Sequence, residues 1–131
     1  MAAERVATVR ACVVISYHAK YLDMNNSDVE AQTGVFRALA DPTRRQILQD
    51  LQAGELTAGD IASRFTISGP SISRHLGLLK AAGLVRERRD ANRIFYSLVE
   101  ERLALSVGGF LSAVCPEQVI LRHKRTARAK R

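Results

Sequence analysis

Between positions 68 and 75 the chain places Ser68, Gly69, Ser71, Ser73, Arg74 and His75, and between 86 and 93 it places Arg86, Arg88, Arg89 and Arg93. Hydroxyls and guanidinium forks are the donors that meet phosphate oxygens and the edges of bases, and small residues between them permit close approach. The chemistry these residues offer is recognition of a polyanion. No nucleophile with a neighbouring base, no paired carboxylates and no phosphate-cradling glycine loop can be assembled, so the chain does not read as an enzyme. Each cluster has a plainer reading beside this one. The first could be an ordinary solvated helix face, the second the charged edge of an exposed hairpin, and His75 serves as well for a structural hydrogen bond as for a phosphate contact.

The elements that must hold these groups are given by the spacing of apolar residues. Ile72, Leu76 and Leu79 recur at i, i+4 and i+7, which predicts a helix over 68–82 with Ser68 as its cap, Pro70 in its first turn and Gly83 at its end. Projected at about 100° per residue, that helix turns Pro70, Ser71, Ser73, Arg74 and Gly77 away from its apolar stripe. Ahead of it, Thr57 and Asp60 form a capping-box pattern, with Asp in the place of the usual Glu, for a short helix carrying Ile61, Ala62 and Phe65; Thr66-Ile67 is the turn between the two. Further upstream a helix over 28–40 and another over 42–52 meet at Asp41-Pro42, a cap followed by proline at the first helical position. Downstream, two β-prone runs, 84–89 and 93–99, flank the turn cluster Asp90-Ala91-Asn92 and read as a hairpin. A last helix carries Leu103, Val107, Phe110, Leu111 and Val114 at i, i+4, i+7, i+8 and i+11 until Pro116 stops it. The fold class is therefore mainly α with a small β-hairpin (α+β), a winged helix-turn-helix in the order ααααββα.

The 131 residues, 47% of them hydrophobic, suit one domain. We expect a leader over 1–26, a DNA-binding and dimerisation domain over 27–116 and a basic tail over 117–131. The formal net charge is +7, but its location matters more than its size. The segment 24–117 nets zero, while the last 14 residues carry six basic and no acidic side chains, so the tail is either a loose phosphate attachment or a solvated end. No apolar run approaches the roughly 20 residues that span a bilayer, and the run from Ala11 to Ile15 lacks the length of a secretory signal. Cytoplasmic residence with no membrane partner is the expectation. Cys12 and Cys115, the two cysteines, are too few and too far apart for a disulfide framework or a metal knuckle.

With Ala40-Asp41-Pro42-Thr43-Arg44-Arg45, Ser71-Ile72-Ser73-Arg74-His75-Leu76 and Gly83-Leu84-Val85 in place, the stretch 28–114 resembles the ArsR/SmtB family of bacterial transcriptional repressors. The resemblance implies a homodimer that binds a double-stranded, imperfectly inverted-repeat operator through the 68–82 helix and the 84–99 wing. It implies an interface built from the first and last helices, here Val35, Phe36, Leu39, Leu103, Val107, Phe110, Leu111 and Val114. Many members hold metal on a Cys-x-Cys within Glu-Leu-Cys-x-Cys-Asp-Leu; the corresponding stretch here is Glu55-Leu56-Thr57-Ala58-Gly59-Asp60-Ile61, without either thiolate. A second sensing class uses Asp and His on the last helix, where this chain has Glu100 and Glu101 at the start and no histidine. The metal-independent, autorepressor-like branch is the better match, so no metal and no cofactor are expected. Two other functions stay open. One is a thiol redox sensor using Cys115, which would need a second thiol nearby. The other is a winged helix used only for protein contacts.

Overall fold

Asn25 opens the first described helix by accepting the Asp28 N–H on its side chain at 3.0 Å, and α1 runs Asn26–Leu39. The structure, a computed structural model, describes residues 25–115 and 128–129. Residues 1–24 of the leader, Cys12 among them, Pro116 and nearly all of the basic tail lie outside the described residues, while the leader's last two residues, Asn25 and Asn26, already belong to the cap and start of α1. Asp41 caps α2, Pro42–Leu51, by accepting the Arg44 N–H at 3.1 Å, with proline at the helix start where no donor is lost. Arg44 and Arg45 then reach back over the end of α1. Arg44 donates to the Ala38 and Arg37 carbonyls at 2.6 and 3.1 Å, and Arg45 to the Leu39 and Ala40 carbonyls at 2.7 and 3.2 Å. These lie among the last carbonyls of a helix, which lack the usual partner four residues on, although that of Arg37 also accepts the Ala40 N–H at 3.3 Å; two cations from α2 thus fasten the α1–α2 corner.

Leu56–Thr57 form a two-residue strand, β1, before α3, Ala58–Ala62. The capping box is complete: Thr57 Oγ1 accepts the Asp60 N–H at 3.1 Å and Asp60 Oδ2 accepts the Thr57 N–H at 3.4 Å. Helix α4, Gly69–Ala81, starts on Ser68, whose hydroxyl accepts the Ser71 N–H. It ends where Gly83 takes φ +74°, the left-handed turn glycine adopts without penalty. The strands β2, Val85–Asp90, and β3, Arg93–Leu98, pair antiparallel from Val85 opposite Leu98 to Asp90 opposite Arg93. Leu56 and Thr57 pair with Tyr96 and Phe95, which gives a three-stranded sheet in the order β1-β3-β2.

The last helical segment is not one regular helix. It begins as α5, Glu100–Leu103, widens into a π turn over Ala104–Gly108, and resumes as α6, Gly109–Val114. The core is shared by every layer: Val35, Ile47, Ile61, Ile72, Leu76, Leu79 and Leu84 are completely or almost completely buried, joined by Leu48, Leu51, Val85 and Tyr96. At roughly 1.5–3 kcal/mol per buried aliphatic side chain, this cluster fixes α4 against α2, α3 and the sheet.

Candidate DNA interface

The candidate surface begins with a helix, α4, locked by its other side. Ile72, Leu76 and Leu79 are buried to within 1%, which leaves the opposite side of α4 outward. Ser73 and Arg74 are exposed there, and Gly77 leaves open space beside them, with nothing within 4 Å of where a Cβ would stand. Arg74 makes no ion pair or hydrogen bond among the described residues. Ser68 and Gly69 are exposed at the helix start, while Ser71 is half-buried, its hydroxyl 2.9 Å from that of Ser68. Leu78, one turn beyond Arg74, is 44% exposed. Its side chain has no polar group to mark it in the sequence, yet the same projection that turns Arg74 outward carries Leu78 with it.

His75 belongs to a different environment. Its Nδ1 lies 3.4 Å from Arg44 Nη1 and 3.9 Å from Asp41 Oδ1, in a partly buried joint between the start of α2 and the middle of α4. Arginine only donates, so Nδ1 is the acceptor in that contact. His75 thus sits in a joint between α2 and α4, within reach of Arg44 and Asp41. Asp41 is held below the usual aspartate range chiefly by the Arg44 N–H at its cap, which outweighs the opposing effect of burial, with the Arg44 charge and the Thr43 N–H adding to it.

The four wing arginines separate as clearly. Arg86 is exposed, opposite Ser97 in the ladder, and unpaired among the described residues. Arg89 points its Nε at Glu87 Oε1 from 3.4 Å and remains largely in solvent. Arg93 is exposed and acts on Asp60 only through space. Arg88 is fully engaged, to Glu55 at 2.6 Å, to Asp90 at 3.6 Å and over the Phe95 ring at 4.6 Å. The wing is tied to α4 by Lys80 Nζ, which donates to Glu87 Oε2 at 2.9 Å. Lys80 and Arg89 keep the Glu87 carboxyl below its ordinary value, and burial pushes the neighbouring Tyr96 hydroxyl up.

A cleft of about 460 Å³ opens between the start of α3 and the wing turn, lined by Thr57, Gly59, Asp60, Asn92 and Arg93 among others. It offers hydroxyl, amide, carboxylate and guanidinium groups, with no thiolate. Among the described residues, no three of His, Cys, Asp and Glu come together as a metal-ligand set. Cys115 is half-buried at the end of α6. No helix among the described residues is long and apolar enough to cross a membrane.

The expected interface residues divide in two. Val35 is fully buried inside the protomer, so its expected place on a shared surface is corrected: it supports that surface from beneath. Leu39, Leu103 and Val107 also lean on the core. Phe36, Phe110, Leu111 and Val114 are exposed, joined by Val29 and Leu105, and the Phe36 and Phe110 rings meet edge to face at 5.4 Å.

Residues 39–88 match the family described as a helix-turn-helix domain. The transcriptional repressor SdpR of Bacillus subtilis (strain 168) is 48% identical over 80 residues, which cover 61% of this chain and 89% of that protein. The HTH-type transcriptional regulator KmtR of Mycobacterium tuberculosis is 40% identical over 94 residues, 71% of this chain and 72% of its own. Among solved structures, an ArsR family transcriptional regulator superposes with a TM-score of 0.60 at 31% identity, covering 72% of this chain and 92% of that one.

Proposed function

The chain belongs to the ArsR family of winged helix-turn-helix, DNA-binding transcriptional repressors, and from that premise we propose that it works in the cytoplasm as a metal-independent homodimer on an inverted-repeat operator. The α4 face reads the major groove and the wing holds the backbone or the adjoining minor groove. The observation that carries this reading is Arg74: an exposed cation without a partner among the described residues, beside Ser73 and Gly77, on a helix whose opposite side is wholly buried. An unpaired guanidinium breaks no contact within the protein when it turns toward guanine, and small neighbours let the helix approach the base edges. The exposed apolar surface of α1 and α6 supports the dimer, since a lone protomer leaves Phe36, Leu105, Phe110 and Val114 facing water.

Arg74→Ala tests the reading. It should cost about 1–3 kcal/mol on a duplex enriched from a random pool by the intact chain, and much less on a scrambled duplex. Binding isotherms on both, at two salt concentrations, measure it. Equal losses on the two duplexes would make Arg74 a phosphate contact and leave base reading to other residues.

A further inference from the structure

One of the wing's arginines is consumed by the protein itself. Arg88 donates from Nη2 to Glu55 Oε1 at 2.6 Å and from Nε to Glu55 Oε2 at 3.4 Å, the two-pronged geometry that makes arginine–carboxylate pairs directional. Its other edge faces Asp90 Oδ2, 3.6 Å from Nη1, and its plane lies over Phe95 with the guanidinium carbon 4.6 Å from the ring centroid. The hydrogen bond from Arg88 holds the Glu55 carboxyl below its usual range, so both partners are charged at neutral pH. The pair adds a direct side-chain tie between two strands that do not pair with each other, since β1 and β2 meet only through β3. Glu55 sits immediately before β1, Arg88 is midway along β2, and Phe95 lies on β3 between them, opposite both Thr57 and Arg88.

We propose that Arg88 and Glu55 form a clamp that sets the angle of the wing against the helical body, so that Arg88 is a positioning residue and the wing's DNA contacts fall to Arg86, Arg89 and Arg93. This rests on the reading of the wing as part of a DNA interface. A carboxylate beside a phosphate-binding surface ordinarily weakens binding by repulsion, and neutralising it should strengthen binding. The clamp predicts the opposite sign: without Glu55 the wing loses its fixed angle and binding falls. The pair is partly exposed, and such pairs change equilibria by small factors.

The test compares the intact chain with Glu55→Gln, Arg88→Ala, Arg88→Lys and the Glu55→Gln, Arg88→Ala double variant, on a duplex enriched from a random pool by the intact chain. The clamp predicts that Glu55→Gln and Arg88→Ala each weaken binding about two- to fivefold and that the double variant is no weaker than either. The slope of affinity against salt should stay unchanged, and Arg88→Lys, which keeps the charge but loses the planar fork and the stacking, should fail to restore affinity. A phosphate contact predicts tighter binding for Glu55→Gln, a salt slope smaller by about one for Arg88→Ala, and near-complete rescue by lysine; that pattern would overturn the clamp and leave the DNA reading intact. An intact chain that enriches no duplex at any salt concentration would overturn the DNA reading and the clamp with it. All the substituted side chains are partly or largely solvated, so melting temperatures close to that of the parent chain are expected and serve as the folding control.

Discussion

Asp41 serves two elements at once. Its side chain caps α2 through the Arg44 N–H and faces the ring of His75 on α4. Asp60 does comparable work for α3 within its capping box. Both carboxyls titrate below the ordinary aspartate value of 3.8 in the folded chain, Asp41 mainly because of the Arg44 N–H and Asp60 mainly because of its hydrogen bonds with Thr57. A carboxyl whose folded pKa lies below its unfolded one stabilises the fold at every pH above the unfolded value, and that contribution disappears as pH falls through the folded value. Urea unfolding followed by circular dichroism should therefore show stability level near neutrality and falling once pH drops below about 4. Asp41→Asn still accepts a hydrogen bond at the cap but does not titrate, so its acid loss should be shallower than that of the parent chain. An identical acid profile for the two proteins would show that Asp41 plays no part. The chemistry of Asp41 as a cap was legible in Asp-Pro. The return of Arg44 and Arg45 over the end of α1 was not, because a helix-end carbonyl has no signature in sequence and a long cation can reach it from any nearby turn.

At the level of elements, local signals were legible and partners across space were less so. Ser68, Thr57 and Gly83 marked the ends of their helices because capping is a contact over two or three residues. The two-residue β1 escaped notice: Leu56-Thr57 is too short to show alternation, and it is a strand only because β3 lies alongside it. The π turn escaped notice too. A stripe spaced for a regular helix places Leu103 through Val114 on one side, whereas the wider turn at Ala104–Gly108 shifts the phase of the residues beyond it. Leu103 and Val107 lean on the core while Phe110, Leu111 and Val114 face outward. Two turn positions separate backbone need from residue type. Gly83 sits at φ +74°, and a Cβ there would come within 3.2 Å of Arg102 Nε, so Gly83→Ala should destabilise the fold by about 1–2 kcal/mol. Ala91 sits at φ +52° at the first position of the two-residue wing turn, where hairpins favour glycine. Ala91→Gly should consequently leave stability unchanged or raise it slightly. Chemical denaturation of the two variants provides the comparison, and a Gly83→Ala protein as stable as the parent would contradict the assigned conformation.

For the whole molecule, the deciding quantity is how much apolar surface one protomer leaves uncovered. Val29 and Phe36 of α1, Leu105 of the π turn, and Phe110, Leu111 and Val114 of α6 are each more than a third exposed, and the edge-to-face contact of Phe36 with Phe110 makes α1 and α6 present one aromatic patch. A second copy related by a two-fold axis would bury the same residues on both sides at once. That axis would also set the distance between the two α4 helices, which must match about one duplex turn, roughly 34 Å, for both to read half-sites. Dimerisation and operator affinity are thereby coupled, and one substitution can expose the coupling. Phe110→Glu places a charge at the centre of the patch, where burial without a partner is costly, while giving up within the protomer only an edge-to-face contact of about 0.5–1.5 kcal/mol. Sedimentation velocity at micromolar concentration should find the parent chain dimeric and the variant monomeric. Gel-shift titration should find the variant weakened severely on a duplex with both half-sites and little changed on a duplex carrying one, because each α4 surface is intact. A parent chain that sediments as a monomer would overturn the dimer. A monomeric variant that still binds the two-half-site duplex at full strength would separate dimerisation from recognition and make each protomer an independent reader of DNA.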